Sequence, residues 1–250
     1  MHYKDVPEVE IIEHQKVDLQ EPLVVLGFAG PGLVGGIAVS HIIDQLKMKE
    51  IAHVRSRYIP PAVVFMDGKL RHAFRVYSGQ KGELCAIVCE IPLRSDGAYP
   101  IASTLLEWVE EKGAKELVVL EGVPVQRYPK TRQSYCAAEM EKIRECEKKG
   151  VKKITAGIVQ GIAGSILDEC LTRKITGVVF LTHVVEFMPD PEGAAVLINT
   201  MNQVYGLGID TKILTTRAEE IKQKLKEVAE SGQKMRQAEE KRGIPERVYI

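Results

Sequence analysis

LVVLGFAGPGLVG, residues 23–35, predicts a buried strand that passes through a glycine-rich turn into a helix. Residues 23–28 form a continuous apolar run, which is typical of a strand covered on both faces. The turn at residues 29–32 follows, and apolar side chains then recur at helical spacing as far as Leu46. A buried strand joined directly to a helix indicates an α/β protein.

Strand and helix patterns continue to alternate on both sides of this segment. Short apolar runs predict further strands at residues 8–13, 51–55, 62–66, 70–77, 84–91, 116–120, 153–159 and 177–183. Helical spacing and helix-ending glycines predict helices at residues 99–112, 134–149, 165–172 and 191–206. Asp67 and Gly68 form a typical hairpin turn. The alternation predicts a mostly parallel sheet with helices on both faces, mixed at one edge by the hairpin.

The composition changes to mainly charged residues after Leu214. A thin apolar stripe continues there at helical spacing, formed by Ile221, Leu225, Val228 and Met235. Ser231 and Gly232 interrupt the stripe, so we expect a docked helix only to about residue 230. The chain is therefore divided into an α/β body at residues 1–214 and a charged helical extension at residues 215–250 that ends in a mobile tail.

Bulk composition narrows the possible partners and compartments. The chain has 250 residues, 45% of them hydrophobic, with 34 basic and 34 acidic side chains. Because there is no basic excess, we expect no nucleic-acid or membrane partner. The first residues lack a signal-peptide pattern, and no apolar run approaches the roughly 20 residues of a spanning helix, so we expect a cytoplasmic protein. The five cysteines are scattered without ligand spacing, so we expect no metal site.

The turn after the first long strand matches a dinucleotide-binding pattern through Gly30, Gly32 and Gly35. Such glycines let the backbone approach a pyrophosphate at a helix N-terminus. An acidic residue should follow about 20 residues later to hold the ribose, but this region ends in Arg55 and Arg57. Close packing of strand on helix explains the same glycines, and we favour that interpretation.

His183 and Glu186 form a second candidate site, just after a predicted strand. The carboxyl ends of parallel strands hold ligands in many α/β enzymes. The same segment can instead be a turn in which Asp190 caps the helix that begins at Pro191, and we favour this capping interpretation. The sequence contains neither a nucleophile elbow nor a phosphate-loop lysine, so we expect no cofactor and no catalytic residue.

The chain ends in Val248, Tyr249 and Ile250, after a charged segment. Apolar and aromatic residues at a mobile end, with no nearby core to join, favour docking into a partner. Tyr249 would supply apolar area and a polar hydroxyl, and the carboxylate of Ile250 would meet a basic side chain or backbone donors. This ending resembles the hydrophobic-tyrosine-any tripeptide with which proteasome activators and some assembly factors enter pockets of the proteasome α-ring.

Several short motifs are distributed over the body. They are the glycine-rich turn at residues 27–35, Ile59-Pro60-Pro61 with Asp67-Gly68, residues 117–124, residues 161–164, and Pro189-Asp190-Pro191 followed by Ala194-Ala195. Through these motifs, the body resembles the proteasome assembly chaperone 2 family, in its archaeal-type branch. The resemblance extends over residues 23 to about 214.

This resemblance implies a three-layer αβα sandwich with a phosphorylase-like topology and no established catalytic residues. It also implies an ATP-independent, non-enzymatic assembly chaperone or core-particle-binding factor that docks its tail on α subunits of the proteasome core particle. We expect a homo-oligomer, and a second adaptor protein is a further possible partner. The alternative function is a small-molecule or nucleotide-binding enzyme that uses Gly30 to Gly35 and the turn from His183 to Asp190.

Overall fold

The computed structural model describes residues 6–14, 19–66, 68–128, 131–185, 188–216, 218 and 220. The strands are β1 (Val9–Glu13), β2 (Leu23–Phe28), β3 (Lys49–Ser56), β4 (Val63–Met66), β5 (Lys69–His72), β6 (Phe74–Ser78), β7 (Leu84–Cys89), β8 (Glu116–Val125), β9 (Ser134–Ala138), β10 (Lys152–Lys153) and β11 (Thr176–Val185). The helices are α1 (Val34–Gln45), α2 (Ala98–Glu111), α3 (Met140–Lys148), α4 (Gly161–Arg173), α5 (Pro191–Tyr205) and α6 (Lys212–Thr216).

A nine-stranded sheet forms the centre of the body, in the order β1-β3-β6-β7-β2-β8-β11-β9-β10. Its central strands β7, β2, β8 and β11 run parallel. Antiparallel pairs flank them, through β6, β3 and β1 on one side and through β9 on the other. The mixed sheet is confirmed, but both edges are mixed, whereas the sequence suggested one.

Helices cover both faces of this sheet, which confirms the three-layer αβα architecture. Val24 and Leu26 of β2 face one apolar cluster, which includes residues of α2 and α4. Val25, between them, faces the other cluster, which includes residues of α1 and α5. All three side chains are fully buried, as expected for a strand covered on both faces.

The predicted strand at residues 70–77 is two strands. It breaks at Ala73, so that β5 pairs with β4 in a separate two-stranded sheet, while β6 joins the main sheet. The hairpin is confirmed, with Gly68 at a φ of 74° in its turn, whereas Asp67 lies outside the described residues. The hairpin is therefore attached to the body and is not an edge of the main sheet.

The prediction of a helix at residues 134–149 was wrong for its first part. Residues 134–138 form β9, which pairs with β11 and places the buried Cys136 opposite Phe180. An open strand edge outweighed local helical spacing here, since β propensity depends on the neighbouring strand. The strand predicted at residues 153–159 was also wrong, because only Lys152 and Lys153 pair, with β9.

Two central strands are longer than predicted. β8 and β11 pair in parallel over ten residues each, from Glu116 opposite Thr176 to Val125 opposite Val185. β2 pairs with β8 only as far as Gly27 opposite Leu120. The carboxyl ends of β8 and β11 therefore project beyond the rest of the sheet, where a site can be built.

α6 crosses the boundary predicted at residue 214; Leu214 within α6 and Ala218 after it are buried. Residues 221–250, including the tail, lie outside the described residues, so the two-part division remains a prediction. None of the helices in the described part of the chain has the length and apolar character needed to cross a membrane.

Candidate functional site

The glycine-rich turn lies at the carboxyl end of β2. Residues 31–33 form one short 3₁₀ turn, in which Gly32 has a φ of 64° and Leu33 a φ of 53°. The Gly30 N–H donates to the Phe28 carbonyl at 2.8 Å, which tightens the bend. A non-glycine residue with positive φ is uncommon and strained, so Leu33 is held in place by its surroundings.

Gly35 and Gly27 let strand and helix approach each other closely. A Cβ on Gly35 would lie 2.2 Å from the Leu120 carbonyl oxygen, and a Cβ on Gly27 would lie 2.2 Å from the Gly35 carbonyl oxygen. Real Cβ atoms essentially never come closer than 3.0 Å to such atoms, so a larger residue would force the helix and the strands apart. The geometry supports the packing interpretation of these glycines.

β3, the strand that follows α1, does not occupy the position that a dinucleotide-binding fold requires. β3 is antiparallel to its neighbours, and β6 and β7 separate it from β2. A dinucleotide fold would place that strand parallel and adjacent to the first strand. Arg55 instead lies 3.9 Å from Glu10, and Arg57 bonds Glu8 at 2.6 Å, so both face the β1 edge.

The second candidate segment caps α5. The Gly193 N–H donates to Asp190 Oδ1 at 2.9 Å, which confirms the capping role of Asp190. The Asp190 N–H donates to the Gly32 carbonyl at 2.9 Å, so this turn is joined to the glycine-rich turn. His183 lies in β11 at the same edge, whereas Glu186 lies outside the described residues.

Arg132 connects the residues at this edge, although no sequence pattern indicated it. The Asp190 side chain is fully buried and pairs with the Arg132 guanidinium, whose Nη1 lies 2.9 Å from Asp190 Oδ1. Arg132 also donates to the His183 carbonyl at 3.3 Å and to Glu192 at 3.2 Å, and it stacks over the Tyr128 ring at 4.5 Å. The arginine lies in a connecting loop without periodicity, so no pattern could indicate its partner.

Two buried nitrogen atoms at this edge lack hydrogen-bond partners among the described residues. They are Nδ1 of His183 and Nε of Arg132. The His183 ring meets Tyr135 edge-on at 5.3 Å. Among the described ranges, no group of three or more His, Cys, Asp or Glu side chains is arranged to hold a metal ion.

Glu121 carries a partly buried carboxyl directly behind the glycine-rich turn. A Cβ on Gly30 would lie 2.2 Å from Glu121 Oε1, so Gly30 leaves room for this carboxyl. The oxygen accepts a hydrogen bond from the Gly122 N–H at 3.0 Å. Burial raises the pKa of Glu121 to about 7. An acidic residue directly after the apolar run at residues 117–120 was a usable sequence signal, because it marks the carboxyl end of a strand.

We expect Glu121→Gln to stabilise the chain more as the pH rises. The folded chain binds more protons than the unfolded chain between the ordinary pKa of 4.5 and about 7, so ionisation of Glu121 lowers stability across that window. Denaturation at pH 5 and pH 8 should show a gain for the variant of about 2 kcal/mol at pH 8 only, reduced by partial solvent exposure. The exposed Glu107→Gln is the control, and an equal gain at both pH values would contradict the assignment.

Two concave regions adjoin the turn. A cavity of about 490 Å³ is lined by residues 29–33 together with Pro92, Met188 and Pro189. A neighbouring groove of about 480 Å³ shares Ala29 and Leu33 and continues along α1 to Leu214. The walls of both are mainly apolar, as in many ligand pockets.

The chain is similar to several known proteins over most of its length. A solved protein of unknown function from Thermoplasma acidophilum is 35% identical, with 88% of this chain and 91% of that chain covered and a TM-score of 0.76. PbaA of Pyrococcus furiosus, described as an archaeal homolog of proteasome-assembly chaperone, is 25% identical, with coverage of 91% and 99% and a TM-score of 0.80. An uncharacterized protein of Methanocaldococcus jannaschii is 27% identical, with coverage of 92% and 94%.

The family comparison covers most of the body and the start of the extension. The PAC2 family model matches residues 24–229, which include the glycine-rich turn, Glu121, Arg132 and the α5 cap. The chain therefore belongs to the PAC2 family.

Proposed function

We propose that this protein is a non-enzymatic, ATP-independent factor that binds the proteasome core particle and assists its assembly. The observation that supports this role most strongly is the likeness to PbaA, which extends over 91% of this chain and 99% of that one. Membership of the PAC2 family and the tail at residues 248–250 agree with it. This role requires a docking surface and no catalytic residue.

In this proposal the tail docks into pockets between α subunits. Val248 and the Tyr249 ring would enter an apolar cavity, where burial of aromatic area supplies most of the binding energy. The Tyr249 hydroxyl would find a hydrogen-bond partner, and the Ile250 carboxylate would pair with a basic side chain. A charged extension between body and tail would let the tail reach its pocket.

Self-association of the body would strengthen this binding. Several tails presented by one oligomer raise the effective concentration of the later tails, and overall affinity can rise by about 10²–10⁴ without new contacts. A homo-oligomeric body is therefore part of the proposal. A second adaptor protein could dock on the same assembly.

We expect Tyr249→Ala to abolish co-migration with core-particle α subunits in size-exclusion chromatography. A tag fused after Ile250 should do the same, because it removes the free carboxylate. Glu246→Gln is the control, since it keeps the length of the tail and its last three residues. Unaltered co-migration of the Tyr249 variant would rule out docking through the tail.

A second function, binding of a small molecule by the body, is favoured by one observation. The partly buried Glu121 carboxyl lies behind Gly30, which lines the cavity of about 490 Å³. A ligand at 100 times its dissociation constant stabilises a protein by about 2.7 kcal/mol. A thermal-shift screen with nucleotides, nucleosides and phosphate tests this function, and no shift with any compound would contradict it.

A further inference from the structure

Three histidines from separate parts of the chain form a stack on the β3 side of the sheet. His14 follows β1, His53 lies in β3, and His72 ends β5. The rings of His53 and His72 are 3.7 Å apart and nearly parallel, at 2°. The His14 ring lies 4.9 Å from the His53 ring, with His14 Nε2 3.4 Å from His53 Nδ1. The central His53 is only 7% exposed.

His72, at one end of the stack, belongs to the hairpin formed by β4 and β5. This hairpin shares no ladder with the main sheet among the described residues. Val63, Phe65 and Leu70 lie on the same face of the hairpin as His72, and they are 65%, 71% and 71% exposed. An isolated two-stranded hairpin is only marginally stable in water. Its attachment to the body therefore decides its position.

The hairpin meets the body at His72. The His72 ring stacks on His53, and its carbonyl accepts a hydrogen bond from Arg75 Nη1 at 2.6 Å. Arg75 is almost fully buried, and its guanidinium lies 2.9 Å from Glu90 and bonds the Tyr77 hydroxyl at 2.7 Å. Glu90 and Tyr77 thus hold the Arg75 guanidinium in place on the body. The ring stack is the part of this contact that can change.

Two arginines beside the stack already pair with carboxylates, Arg75 with Glu90 at 2.9 Å and Arg55 with Glu10 at 3.9 Å. Arg75 lies opposite His53 in the ladder between β3 and β6, and Arg55 acts on His53 from its own strand. Arg71, in the hairpin, interacts electrostatically with Tyr77. The carboxylate beside the stack is Glu50, which lies 3.3 Å from His14 and also accepts from the Tyr77 hydroxyl at 3.3 Å. One shared carboxylate cannot neutralise protons on several rings.

We propose that the stack of His14, His53 and His72 is a proton-operated latch that holds the β4–β5 hairpin against the body. Neutral imidazoles stack face to face without repulsion. Histidines ordinarily protonate near pH 6.5, and protonation of adjacent rings places like charges within a few ångströms of each other. Burial, and then the charges of His72 and His14, lower the pKa of His53. Protonation of His53 therefore weakens the stack. Acidification then releases the hairpin and repositions its apolar face.

Hydrogen exchange of the intact chain at pH 7.5 and pH 5.5 tests the latch. After correction for intrinsic exchange rates, we expect protection of residues 63–72 to fall at least tenfold at pH 5.5. Amides of α2, at residues 98–111, should keep their protection, because the release is local. Unchanged protection of the hairpin, or an equal loss in α2, would overturn the proposal.

His72→Phe distinguishes the effect of protonation from the effect of ring stacking. Phenylalanine keeps a flat aromatic ring on His53 and cannot be protonated, so we expect the hairpin of this variant to stay protected at both pH values. His41→Phe is the matched control: this histidine on α1 bonds the Asp210 carbonyl away from the stack, and its variant should open on acidification like the natural chain. If the hairpin of His72→Phe loses as much protection on acidification as the natural chain, the latch is not operated by that histidine.

Discussion

Replacing Gly35 by Ala is expected to lower the free energy of unfolding by at least about 3 kcal/mol. The added Cβ would lie 2.2 Å from the Leu120 carbonyl oxygen and 3.3 Å from the Phe28 nitrogen. These atoms belong to the backbone of two central strands, so they cannot move aside as a flexible side chain can. Relief requires α1 to shift away from the sheet, which separates it from its buried neighbours.

Gly36→Ala is the matched control, one residue further along the same helix. Its Cβ would lie 3.6 Å from the Phe28 carbonyl oxygen, an ordinary contact. Alanine favours a helix by about 1 kcal/mol over glycine, so we expect a neutral or slightly stabilising change. Urea denaturation of both variants measures the difference. Equal effects at the two positions would contradict the close-packing explanation of the glycine-rich turn.

Asp190→Ala is expected to lower the free energy of unfolding by about 3–5 kcal/mol. The substitution removes the cap of α5, and it leaves the largely buried Arg132 guanidinium without its main partner. Breaking a buried ion pair on one side costs this much because the remaining charge is desolvated and unpaired. The contact between Asp190 and Gly32 is made by the backbone and should survive.

Asp190→Asn divides this effect into its two parts. Asparagine still accepts from the Gly193 N–H, so the cap remains, while the charge opposite Arg132 is lost. We expect the stability of this variant, measured by chemical denaturation, to lie between those of the natural chain and Asp190→Ala. A loss below about 1 kcal/mol for Asp190→Ala would show that Arg132 does not depend on this carboxylate.

The parts of the fold that were predictable are those where local signals and tertiary packing agree. The apolar run at residues 23–28 predicted a doubly covered strand, and Asp190 before Pro191 predicted a capped helix; both are confirmed. Local spacing predicts a helix at residues 134–138, but these residues pair with β11, a segment about 40 residues away. No local pattern reports whether a strand edge is open.

The site was predictable only in outline. The turn at Gly30 to Gly35 and the segment from His183 to Asp190 do lie at one edge of the sheet, since Asp190 bonds Gly32. Arg132 reaches that edge from a loop 58 residues before Asp190, and the histidine stack joins strands distant in sequence. Such contacts depend on side-chain direction in the folded chain. Glu121 could have been recognised from its position after a buried strand.

Photo-crosslinking from position 249 tests the central claim most directly. Tyr249 is replaced by a benzoyl-phenylalanine, which keeps an aromatic ring, and the chain is irradiated together with proteasome core particle. We predict covalent adducts between this position and α subunits, mapped by mass spectrometry to residues that line the pockets between them. Crosslinks confined to copies of this chain, with no α-subunit adduct at any ratio of the two, would contradict a tail that docks on the core particle.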